Sequence, residues 1–179
     1  MKELRVQIPV LETLRLKLRG YGLEDFDAYA AMWADPEVTR HIGDGSPKSE
    51  AESWTSLLRA VGHWQILGYG SWAIDEKPSG RFIGGIGFND SKRDRGDALK
   101  DLLELGWMLS PSGSGKGYAT EALQAVLEWG KTHFGQVRVI AITAPENIAS
   151  MRVAQKCGFK EFLRGPSLGR PRVFFDRFL

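Results

Sequence analysis

The sequence predicts an α/β (α+β) domain built on a mixed, mostly antiparallel sheet of about seven strands flanked by four helices. Three observations predict it. Segments of alternating apolarity give way repeatedly to segments of helical period. Two strand-like runs, residues 69–75 and 81–88, are separated only by Glu76-Lys77-Pro78-Ser79-Gly80, whose turn formers predict a hairpin. The chain has 179 residues, 42% of them apolar and 26% charged, which suits a single domain over residues 1–179 with one core.

Each element follows in order. Residues 13–19 read Thr-Leu-Arg-Leu-Lys-Leu-Arg, so Leu14, Leu16 and Leu18 share one strand face and Arg15, Lys17 and Arg19 the other. Residues 23–33 place Leu23, Phe26, Ala30 and Trp33 at helical spacing and stop before Asp35-Pro36. Residues 47–67 form a second helix, with Ala51, Trp54, Leu58 and Val61 on one stripe and Ser46 or Ser49 as its cap. The hairpin comes next, then a polar, flexible loop over residues 91–100. Residues 101–109 return to strand, residues 111–117 are glycine-rich, and a helix follows with Ala122, Leu123, Val126, Leu127 and Phe134 on its apolar face. Residues 137–143 are β-branched and extended. Residues 147–156 form a short helix stopped by Gly158. Residues 159–163 and 172–178 complete the sheet.

Composition excludes several function classes. The formal net charge is +2 without clustered basic charge, which argues against nucleic-acid binding. The lone Cys157 precludes an internal disulfide. The N-terminal segment alternates charge and apolarity, unlike a signal peptide, and no run approaches the roughly 18 apolar residues of a membrane span. The expectation is a cytoplasmic protein acting away from membranes. His41, His63 and His133 stand apart from other ligand types, so no metal site is expected.

The informative segment runs strand, glycine loop, helix over residues 105–122. Glycines let backbone approach a ligand, and the first helical turn offers unpaired N–H groups with partial positive charge. Together they make an anion site suited to phosphate or pyrophosphate, to which Lys116 adds a cation. It is not a nucleotide P-loop: Ser110 occupies the upstream glycine position, and Gly117 follows Lys116 where Ser or Thr would hold magnesium. Gly113, Gly115 and Gly117 also miss the spacing of a dinucleotide fingerprint. A tight turn with no ligand remains the alternative.

Here the sequence resembles the GNAT superfamily of N-acetyltransferases, and within it the branch of ribosomal-protein N-terminal acetyltransferases. Its motif [QR]-x-x-G-x-[GA] falls on residues 114–119, and Gly-Tyr-Ala-Thr-Glu-Ala is intact at 117–122. Residues 147–159 resemble the branch pattern N-x-x-S-x-x-V-x-x-K-x-G-F. Residues 13–19, 35–38 and 80–84 fit as well, so the resemblance spans nearly the whole chain.

The resemblance implies a sheet splayed between its fourth and fifth strands, with acetyl-CoA in the gap. Pantetheine would pair with Met108, Leu109 and Ser110. The pyrophosphate would lie on Ser114, Gly115, Lys116, Gly117, Tyr118, Ala119 and Thr120, and Asn147 would contact the pantetheine or pyrophosphate. Two departures stand out. Ser114 replaces the usual Gln or Arg, and Ala154 replaces a tyrosine that many relatives use as general acid.

Acetyl transfer to an amine needs a neutral nucleophile, although a lysine-type amine has a pKa near ~10.4. Glu104, a lone carboxylate within Leu-Leu-Glu-Leu-Gly, is the candidate base, acting directly or through water. Burial would raise its pKa, and the alternative is a surface glutamate on an edge strand. Backbone N–H groups at 107–109 are candidate oxyanion donors. Ser150 is the polar residue expected to orient the sulfur or a water.

Cys157 reads as a buried thiol rather than a nucleophile. Trp33, Trp54 and Trp129 read as core, while Trp33, His41 and Trp64 are also candidates to face the acceptor pocket. The acceptor class stays open among protein N-termini, polyamines, amino acids and aminoglycosides. A non-catalytic acyl-CoA module and a homodimer are further alternatives.

Overall fold

The structure is a computed structural model describing residues 6–90, 92, 99–167 and 169–179. The loop expected over 91–100 therefore lies largely outside the described residues. Eight strands form one sheet in the order β1-β2-β3-β4-β5-β6-β8-β7. They are β1 Leu11–Glu12, β2 Leu16–Arg19, β3 Ser71–Glu76, β4 Arg81–Asn89, β5 Leu103–Leu109, β6 Arg138–Thr143, β7 Lys160–Ser167 and β8 Arg170–Phe178. Every pairing is antiparallel except β5 with β6. The helices are α1 Phe26–Ala34, α2 Pro36–Thr39, α3 Glu50–Leu67, α4 Tyr118–Phe134 and α5 Ile148–Lys156.

The strand count exceeds the expected seven because a two-residue strand, β1, forms ahead of the expected first strand, which itself begins only at Leu16. Leu16 and Leu18 are buried as expected, but Leu14 is 89% exposed. The Arg15 amide donates to the Glu121 carboxylate at 2.9 Å instead of a strand neighbour, so residues 13–15 form a turn. The extra helix, α2, arises because Asp35 ends α1 and caps a new turn, its side chain accepting from the Glu37 amide at 2.8 Å.

Two apolar clusters cover the two faces of the sheet. On one, α4 packs Ala122, Leu123, Val126 and Leu127 against Leu16, Leu18, Ile74, Phe88 and Leu105. On the other, Tyr29, Met32 and Leu57 of α1 and α3 pack with Tyr21, Phe82 and Met108. Strand β5 serves both: Leu103, Leu105, Trp107 and Leu109 join the first cluster, so Glu104, Gly106 and Met108 face the second.

The α1 stripe is met in part, with Phe26 and Trp33 half-buried against the second cluster, whereas the α3 stripe is turned away from the core. The buried residues of α1 are Tyr29 and Met32, while Leu23 lies in a preceding exposed turn. The buried face of α3 is Ser53, Leu57 and Trp64, leaving Trp54 39% and Leu58 51% exposed. Trp54 packs edge-on against Phe26 at 5.1 Å rather than in the core. Ser49 is the cap, in a box with Glu52 whose carboxylate returns to the Ser49 amide at 2.8 Å.

Trp64, expected as a candidate to face a pocket, is a core residue. It is 1% exposed, its ring 4.7 Å from Trp72 and 5.7 Å from Trp129, and its indole N–H donates to the Ser71 carbonyl at 2.9 Å. Trp64→Ala is expected to lower unfolding free energy by about 3–5 kcal/mol, measured by urea denaturation. A loss below about 1 kcal/mol would place this aromatic stack outside the cooperative core.

Candidate functional site: a wedge between β5 and β6

Strands β5 and β6 pair only at Leu103↔Val139 and Glu104↔Ile140. Beyond that point each belongs to a different half of the sheet. Strand β5 pairs with β4 from Asn89↔Glu104 to Gly84↔Leu109. Strand β6 pairs with β8 from Arg138↔Phe178 to Thr143↔Val173. The halves diverge and leave the β5 edge after Glu104 without a strand partner. A cavity of about 300 Å³ opens there. Residues 104–108 form one wall and residues 141–143 with Asn147, Ser150 and Ala154 the other.

Several expected site residues meet on this cavity. Glu104 lies on its wall, half-buried, on a strand paired on both sides rather than at a sheet edge. Met108, Asn147 and Ser150 line it too. Asn147 caps α5, its side-chain oxygen accepting from the Ser150 amide at 3.0 Å. Trp33 and His41 line the cavity as well. Leu109 packs into the core, and the Ser110 amide donates to the Ile83 carbonyl at 2.9 Å, so both fall outside the cavity wall.

Residues 114–120 form a separate surface at the start of α4. Gly115 and Gly117 take left-handed φ of 76° and 80°, which side chains rarely adopt. Glu121 is the first helical amide bonded, donating to the Gly117 carbonyl at 3.1 Å. The amides of Tyr118, Ala119 and Thr120 therefore have no intrahelical acceptor, as the first turn requires. The Ser114 hydroxyl donates back to the Ser110 carbonyl at 3.2 Å.

The underside of this loop is pinned by charge. Arg15 donates to the Lys116 carbonyl at 3.0 Å and to Glu121 at 2.7 Å, and its guanidinium lies 4.6 Å from the Tyr118 ring centroid. Glu76, at the end of β3, accepts from the Ser79 hydroxyl at 2.6 Å, the Tyr118 hydroxyl at 2.8 Å and the Lys116 ammonium at 3.3 Å. The Ser79 and Tyr118 hydrogen bonds hold the Glu76 carboxyl at a pKa of about 2, so it is ionised throughout the physiological range. Burial opposes ionisation of Glu121, but hydrogen bonds from Thr13 and Arg15 prevail and lower its pKa. Tyr118 is thus a buried anchor, and the Lys116 ammonium turns toward Glu76. Sequence reasoning missed Arg15, Glu76 and Glu121, because nothing local connects residues 15 and 76 with residue 118.

Cys157 is a buried thiol, its pKa raised by burial, as the sequence suggested. Among the described residues no cluster of three or more His, Cys, Asp or Glu forms a metal site. Nor is any described helix long and apolar enough to cross a membrane.

A family model, the acetyltransferase (GNAT) domain, matches residues 15–160. The chain belongs to the GNAT acetyltransferase family. Among curated relatives, the uncharacterised N-acetyltransferase YnaD of Bacillus subtilis is 47% identical over 167 residues, covering 84% of this chain and 82% of the relative. The crystal structure of an acetyltransferase from Agrobacterium tumefaciens superposes with a TM-score of 0.82 at 29% identity, covering 99% and 98% of the two chains. The fold also matches RimL, a ribosomal L7/L12 α-N-protein acetyltransferase solved in complex with coenzyme A. That match has a TM-score of 0.77 at 16% identity and covers 96% and 98%.

In this GNAT domain Arg15 and Glu76 together fix the loop at 114–117 from below, and Arg15 is the one that holds its backbone, at the Lys116 carbonyl. Arg15→Ala is expected to raise the Kd for coenzyme A about tenfold in calorimetric titration, with the far-UV circular dichroism unchanged. An unaltered Kd would show that the loop holds its shape without Arg15.

Proposed function

We propose that this protein is an acetyl-CoA-dependent N-acetyltransferase, one domain over residues 1–179, that acetylates a primary amine by direct attack in a ternary complex. One observation carries the reading: the β5 edge that leaves its partner after Glu104 runs on directly through residues 110–117 into the start of α4, so one continuous segment links a carboxylate on the cavity wall to an anion-accepting surface. The unpaired strand edge offers amide and carbonyl groups to the amide-bearing pantetheine arm of acetyl-CoA, and the first-turn amides of residues 118–120, behind the glycine loop at 115–117, suit its pyrophosphate, while the Ser114 amide is taken by the Pro111 carbonyl. Asn147 and Ser150 lie along the opposite wall. That RimL was solved with coenzyme A supports the same donor here.

The amine enters from the α1 and α3 side of the cavity. Glu104 takes a proton from it, directly or through water, and the nitrogen attacks the thioester carbonyl. Of the candidate donors at 107–109, the Trp107 N–H alternates away from β4 and lies on the cavity wall, where it meets the developing oxyanion. The carbon–sulfur bond then breaks and coenzyme A leaves as a thiolate. Ala154 lines the cavity with a methyl group where many relatives carry a tyrosine, so a proton for the sulfur comes from water rather than a side chain at 154. The reading uses no metal and no nucleic acid, and the protein acts in the cytoplasm. A non-catalytic acyl-CoA module is the rival that Ser114 and Ala154 favour.

Thiol release from acetyl-CoA in the presence of an amine panel tests the proposal. Glu104→Gln should lower kcat by about 10²–10⁴-fold and leave the Kd for coenzyme A within about twofold. Unchanged kcat removes Glu104 as the base. Tight coenzyme A binding with no thiol release on any amine supports the rival.

A further inference from the structure

The acceptor end of the cavity carries positive charge that acetyl transfer alone does not require. Arg59 of α3 and Arg172 of β8 both line it, and Glu104 is the only carboxylate among the described lining residues. Arg172 is buried and anchored by donating to the Gly43 carbonyl. Two more cations stand behind the wall. The Lys48 ammonium lies 3.4 Å from the Trp33 ring centroid and 2.8 Å from the Ser56 hydroxyl, and both of those residues line the cavity. Arg170 lies so close to Gly45 that a Cβ there would sit 2.6 Å from its guanidinium. The same loop supplies His41, Ile42 and Gly43 to the cavity.

Titratable groups in this region register the field. Burial first, and then the charge of Arg59, bring the Lys48 pKa down to about 8, with Glu52 opposing. Burial and then Arg40 lower the His41 pKa, with Arg170 and Arg172 adding to the effect and Glu146 opposing. A polyamine or aminoglycoside would add its own cations to this region and be repelled.

We infer that the acceptor is a small amine that also carries a carboxylate or phosphate group, held by Arg59 and Arg172 with its nitrogen toward Glu104. This rests on the cavity being the acetyl-transfer site. Guanidinium groups match both anions through paired N–H donors. The same cations disfavour the ammonium form of the acceptor and so favour the neutral amine that must attack. The volume agrees: about 300 Å³, part of it along the donor wall, lies at the lower end of ligand pockets.

Thiol release with acetyl-CoA tests this on matched pairs: proteinogenic amino acids against their carboxamides, O-phosphoethanolamine against ethanolamine, and spermidine alone. The anionic member of the best pair should be favoured at least about tenfold in kcat/KM. Whether that pair is a carboxylate or a phosphate identifies the anion. Arg59→Gln should bring the ratio toward one, and Arg59→Glu should invert it. Arg59 is exposed on α3, so these variants test the charge with little risk to the fold. Preference for a carboxamide, ethanolamine or spermidine overturns the inference, as does a ratio that survives both substitutions. Acetyl-CoA binding without transfer to any anionic amine also overturns it. Failure to bind acetyl-CoA sinks the acetyl-transfer reading itself, and the inference with it.

Discussion

The site depends on a ladder that stops. Strands β5 and β6 share two register pairs and then part, each continuing with the neighbour on its other side. Buried backbone polar groups need partners. A strand edge facing a cavity meets that need through water or through a ligand with amides of its own. Had the ladder run to Leu109, the fold would have an intact sheet and no wedge. The alternation along β5 then decides which side chain does chemistry. Leu105 and Trp107 go to the core, and Glu104 goes to the cavity face.

The glycine loop presents the complementary constraint. Left-handed residues at 115 and 117 give the chain its path, but they do not hold it there. Side chains from distant segments do. Arg15 takes the Lys116 carbonyl and the Glu121 carboxylate, and Glu76 takes Tyr118 and Lys116. With the carbonyl side anchored, the amides of the first helical turn remain available on the other side. The turn at residues 13–15, which joins β1 to β2, supplies Arg15 to this network.

Much of this was legible in the sequence where the signal is local. The β3–β4 hairpin, the strand–loop–helix at 105–122 and the short helix capped at Asn147 all sit where turn chemistry and period place them. Glu104 was legible as an odd carboxylate in an apolar strand, and its face follows from a period of two. The α3 stripe was not, because Trp54 and Leu58 keep helical spacing yet face outward, while Ser53 is buried in their place. Trp64 reads equally well as pocket or core until Trp72 and Trp129 close around it. Arg15, Glu76, Arg59 and Arg172 reach their places through contacts between distant segments, for which periodicity carries no signal.

The central claim is that the wedge and the helix start together receive acetyl-CoA. Calorimetric titration of the protein with acetyl-CoA, with magnesium-ATP as the comparison ligand, tests it most directly. The account predicts saturable one-to-one binding of acetyl-CoA and no measurable heat from magnesium-ATP. Binding of magnesium-ATP with none of acetyl-CoA would contradict it, because the loop at 114–120 would then be a nucleotide site and the wedge would have no donor to hold.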